Sequence, residues 1–154
     1  MRLSDWQSRA QHRDSMTAKV VGTATEALVL LGAGRDPDCW IAWGDDPAAR
    51  YTILAPVVAG LVMVNIRVNV PGEGPRAAGK IVRWNRVQVG ELAVEIQGGH
   101  RLITFQVESH LLHGANDEAD EVAAFGDRVF AGIDGRWATF TDVIALPGPK
   151  ASDH

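Results

Sequence analysis

At 154 residues the chain fits one domain, and a domain of that size buries roughly 70% of its unfolded surface without a disulfide or metal staple. Hydrophobic residues at 46% and charged residues at 22% exclude disorder for the bulk of the chain. A net charge of -4 argues against a generic nucleic-acid binder, and the single cysteine, Cys39, excludes an intrachain disulfide scaffold.

The opening stretch, MRLSDWQSRAQHRDS, is polar and lacks the apolar core of a signal peptide. Ser4 followed by Gln7 resembles a capping box, so a helix is expected over 4–17, within an N-terminal segment 1–18. Residues 18–31, AKVVGTATEALVLL, hold two apolar runs, and the second is expected to be a strand. The turn-rich GAGRDPD at 32–38 leads into a short aromatic strand, CWIAW, at 39–43. YTIL begins another strand, which Pro56 restricts to an edge or a bend because proline has no N–H for the ladder. The run ILAPVVAGLVMV falls short of the ~20 residues a spanning helix needs and is interrupted by Pro56 and Gly60, so no transmembrane segment is expected. A cytoplasmic location is the default expectation.

From Leu61 to Val70 the valines and Ile66 alternate with Met63, Asn65, Arg67 and Asn69, a period of two that predicts a strand. PGEGP at 71–75 ends it. GKIVRW, QVGELAVEIQ and RLITFQVES follow as strands, with Gly98-Gly99 as a hairpin turn. Asn116 or Asp117 is the expected cap of a helix at 116–133, whose acidic first turn suits the positive end of the helix dipole. Val122, Phe125, Val129 and Ile133 make its apolar face, Phe130 widens that face, and Gly132 and Gly135 are its stop candidates. Residues 19–115 thus form the sheet region of a single domain, and 134–154 an apolar tail with a disordered end.

The segment KIVRWNRV, the hairpin GELAVEIQGGHRLITFQV and the helix with Phe125 and Phe130 together resemble bacterial pleckstrin-homology-like domains. Trp84 with Val87 is similar to the tryptophan-containing segment that precedes the hairpin there. The resemblance covers about half of the chain; the leading helix and the apolar tail depart from it. It implies an α+β fold, mainly antiparallel β, as a curved sheet or small barrel capped by the C-terminal helix. It implies no particular chemistry, because function resides in a site rather than a fold.

Candidate sites are sparse. His110 and His113 lie three apart with Glu108 near by, but a metal site needs three or more ligands, and the ordinary reading is structural. Cys39 has no basic neighbour in sequence to activate it and reads as strand filler. Glu91 and Glu95 lie about 13 Å apart on an extended strand, too far for a carboxylate pair. GAGRDPD lacks the spacing of a nucleotide loop, and no cofactor motif is present. GEGPR at 72–76 resembles a small anion nest, though an ordinary connecting loop is the simpler reading.

Arg76, Lys80, Arg83, Trp84 and Arg86 form a basic-aromatic set suited to an anionic ligand; its plain alternative is a solvated strand face paired with Glu73, Glu91 and Glu95. Trp43, Trp137 and Phe140 are candidate interface residues, pointing to a homo-oligomer or a protein partner. The expected function is a non-enzymatic binding or assembly module. The alternative is a small apolar-ligand barrel or an enzyme with a pocket beneath the C-terminal helix, lined by Trp84, Glu95, His100 and Phe105.

Overall fold

The computed structural model describes residues 18–35, 37–45, 50–67 and 74–137. The expected helix at 4–17, the segments 46–49 and 68–73, and the tail from 138, which includes Phe140, lie outside the described residues.

The second apolar run of 18–31 corrects the sequence reading: it belongs to a helix, α1 (Ala18–Leu30), not to a strand. Ala24, Ala27, Leu28 and Leu31 recur at i, i+3, i+4 and i+7, and this helical period outweighs the local β-propensity of the valines and threonines. Ala24 and Leu28 are fully buried, while Leu30 points outward.

Among the described residues seven strands follow: β1 (Ile41–Asp45), β2 (Arg50–Val57), β3 (Gly60–Arg67), β4 (Arg76–Arg83), β5 (Val89–Gln97), β6 (His100–Val107) and β7 (His110–Ala115). A 3-10 turn, Trp84–Arg86, separates β4 from β5. The strands form two antiparallel meanders, β1-β2-β3-β4 and β5-β6-β7, so the fold is α+β with two sheets rather than a closed barrel. HLLHGA, unassigned from sequence, is β7. Its hairpin turn has no glycine; Glu108 takes a φ of 54° there. That uncommon conformation is held by a two-way clasp, in which the Glu108 N–H donates to the Gln88 carbonyl (2.7 Å) and the Gln88 N–H donates to Glu108 Oε2 (2.6 Å).

Pro56 lies where its chemistry allows. β1 pairs β2 only as far as Leu54, so Pro56 falls beyond the reach of that neighbour, and its missing N–H costs no ladder bond there.

The four-strand sheet has apolar residues on both faces. Tyr51, Ile53, Ala55, Val62, Val64 and Ile66 pack with Trp40 against α1. On the opposite face Leu54, Leu61 and Met63 meet Ile103, Phe105, Val107 and Leu112 of the second sheet and the helix α2 (Asp117–Ile133). α2 presents Val122, Phe125 and Val129 as expected, but Ile133 is 37% exposed, because the helix ends there and the stripe runs past the sheet beneath it.

The end of α2 has the bond pattern of a Schellman motif: Arg136 N–H donates to Ala131 (2.7 Å) and Gly135 N–H donates to Gly132 (3.2 Å), with Gly135 at φ 73°. At the other end, Asn116 makes no side-chain cap bond. Its side chain turns to the hairpin instead: Oδ1 accepts from the Arg101 N–H (3.3 Å), and Nδ2 lies 3.1 Å from His100 Nδ1. An ion pair between Arg101 and Asp120 adds a second tie between β6 and the start of α2.

Candidate functional site

Strand alternation divides the expected basic set. On β4, Ala77 and Ile81 pack toward α1, whereas Val82 packs toward α2. Arg76 and Lys80, in phase with Val82, therefore share the α2-side face, and Arg83 takes the other. All three and Arg86 are exposed. Among the described residues none of the four makes an ion pair, so Glu91 and Glu95 do not neutralise them.

Trp84 serves the core instead of this surface. Its Nε1–H donates to the carbonyls of Val57 (2.9 Å) and Val58 (3.1 Å), which anchors the 3-10 turn to the β2–β3 hairpin. One side of its ring meets Gly132 of α2, and Trp137 stacks on it at 6.2 Å with a 30° interplanar angle. Arg128 lies 5.5 Å from the centre of the Trp137 ring, so Trp137 is half-buried within its own chain. Trp43 pairs in backbone register with Thr52.

The residues named for a cavity under α2 do not converge. Phe105 is fully buried, with its ring 5.4 Å from Phe130 and 6.5 Å from Phe125. Glu95 and His100 are exposed on the β5–β6 hairpin. His110 and His113 fall on opposite faces of β7, since three residues along a strand reverse the side, and the ring of His113 contacts Thr104 Oγ1 at 3.2 Å. No group of three His, Cys, Asp or Glu able to hold a metal occurs among the described residues. Cys39 is buried, and loss of hydration raises its pKa above 9.0 despite the opposing charge of Arg128.

Two surfaces escaped the sequence reading. The first is the open half of the α2-side face of the four-strand sheet. Arg50 stands opposite Arg67, and Arg67 opposite Arg76, so three arginines form one row across β2, β3 and β4. Thr52 and Asn65 make the next row, with the Thr52 hydroxyl donating to Asn65 Oδ1 (3.1 Å). A groove of ≈ 370 Å³ at this end of the sheet is lined by Arg50, Tyr51, Thr52, Asn65, Ile66 and Arg67. The signal for the row was the length of the β2–β3 turn: two residues, Val58 and Ala59, force residue 50 opposite 67. That turn carries no Asn-Gly or Asp-Gly signature.

The second is the β5 edge. Leu92, Val94 and Ile96 share a face with their β6 partners Phe105 and Ile103, which lie in the core. β5 extends beyond the cover of α2, and exposure rises along it from 36% at Leu92 to 56% at Val94 and 73% at Ile96. β5 pairs only with β6, so its other edge carries no strand among the described residues. Comparison with known proteins returns no matching family model, no matching curated protein and no matching solved structure.

Proposed function

We propose that the chain is a non-enzymatic assembly module that pairs with a second copy of itself through the edge of its three-strand sheet. The observation that carries this reading is the exposed apolar face of β5, a nine-residue edge strand continuous with the core. Natural edge strands are ordinarily kept short, covered or charged, because an open apolar edge is a template for pairing. On β5 the only charges are Glu91 and Glu95, and they alternate with the apolar face instead of interrupting it.

The strand is self-complementary in one antiparallel register. With Val94 on the two-fold axis, Leu92 faces Ile96 of the other copy, and Glu91 faces Gln97. No glutamate then opposes another, and cross-strand apolar pairs supply the contact. The pleckstrin-homology-like likeness is part of this proposal, and α1, which precedes the first strand, departs from it.

Sedimentation equilibrium at tens of micromolar tests the reading. A dimer is expected for the natural chain and a monomer for Val94→Lys or Ile96→Lys. Leu111→Lys, on β7 and with an exposure between those of Val94 and Ile96, is expected to remain dimeric. A monomeric natural chain, or a dimer indifferent to both β5 substitutions, overturns it.

A further inference from the structure

We propose that the row Arg50–Arg67–Arg76 is a binding site for a soluble phosphate-chain anion of two or three phosphoryl groups. Like charges directly opposite one another on neighbouring strands destabilise a sheet. Here two such pairs are joined in one row, and among the described residues no ion pair engages any of the three. Among the described residues Asp45, in backbone register with Arg50, is the only acidic position in line with the row. The chain as a whole is acidic, so the row is a local feature and no part of a general basic surface.

The chemistry of the patch is one-sided. Three guanidinium groups offer only donors, in a planar fork that matches phosphate oxygens. Because the Thr52 hydroxyl donates to Asn65 Oδ1, the Asn65 amide contributes its Nδ2 hydrogens as donors as well. Lys80 shares the face but lies four residues, about 13 Å, along β4 from Arg76, so it stands apart from the row. Strands lie about 4.8 Å apart, so the outer two arginines start about 10 Å from each other. That span suits an extended phosphate chain better than a single small anion. A groove of ≈ 370 Å³ takes in Arg50 and Arg67, two of the three arginines, and Arg76 flanks Arg67 across the next strand.

The test is calorimetric titration of the full chain with inorganic tripolyphosphate at low ionic strength, repeated on Arg67→Gln and Arg86→Gln. Binding is expected to weaken with added salt. Arg67→Gln, at the centre of the row, is expected to lose roughly tenfold or more in affinity, the scale of one charge-assisted contact. Arg86→Gln, on the 3-10 turn, is expected to bind as the natural chain does. Without ligand, Arg67→Gln is expected to melt at a higher temperature at low salt, because a repulsion is removed; Arg50→Gln is expected to repeat both effects. No binding of tripolyphosphate, or binding unaffected by Arg67→Gln, overturns the proposal. If vesicles containing phosphatidylserine bind through Arg67 while tripolyphosphate does not, the phosphate belongs to a lipid headgroup, and the assignment to a soluble ligand is overturned.

Discussion

Gly132 of α2 lies directly against the Trp84 ring, and a Cβ built on it would overlap the indole. This contact joins the last turn of the helix to the junction between the two sheets. It also explains why a glycine is kept inside a helix that continues to Ile133.

Gly132→Ala is therefore expected to destabilise the chain. Helix propensity alone favours alanine by about 1 kcal/mol. Overpacking against a ring anchored by two carbonyls costs about 1–3 kcal/mol, which outweighs that gain. Urea unfolding should show a lower midpoint at unchanged slope. A higher midpoint would mean that the indole can move aside, and that Trp84 is less firmly held than its hydrogen bonds indicate.

Phe105 and Val94 lie on the same face of the second sheet, but only Phe105 is covered. Phe105→Ala is expected to cost about 3–5 kcal/mol, because it opens a cavity between Phe125 and Phe130. Val94→Ala is expected to change the stability of the monomer by about 0.5 kcal/mol or less. Thermal unfolding at low concentration separates the two. Similar losses would show that β5 is covered in solution.

Where local pattern and tertiary context agree, the fold was legible. The β5–β6 hairpin followed from alternation and Gly98-Gly99, and α2 followed from its stripe and acidic first turn. Three features failed for identifiable reasons. α1 is made of valines, threonines and small residues whose strand propensity masks a helical period set by Ala24, Ala27 and Leu28. The turns at Val58-Ala59 and Glu108-Ser109 carry no Asn-Gly, Asp-Gly or Gly-Gly pair to announce them, so the β2–β3 and β6–β7 pairings were hidden. The arginine row depends on the first of those pairings. Arg50, Arg67 and Arg76 are far apart in sequence, and only the register makes them one site.

Cys39 provides a pH test of the core between the sheets, where it packs with Leu54, Phe105 and Val129. Burial raises the folded thiol above its ordinary value of 9.0, so the folded state holds its proton at a pH where the unfolded state has lost it. Below that ordinary value both states are protonated, and the thiol adds nothing to the pH dependence. Above it the unfolded chain binds fewer protons, and stability falls with rising pH by up to about 1.4 kcal/mol per unit until the folded thiol also ionises. Other groups titrate at alkaline pH, so the natural chain must be compared with Cys39→Ala. At pH 7 the variant is expected to be less stable by about 1–2 kcal/mol, from the small void left in the core. The gap should narrow as pH rises above 9.0, because only the natural chain loses stability through the thiol. Urea unfolding of both proteins from pH 7 to alkaline pH reads this difference directly. A gap that stays constant would show that Cys39 ionises as readily in the folded chain as in the unfolded one, and a gap that widens would show that it ionises more readily; either outcome would mean that burial does not raise the thiol.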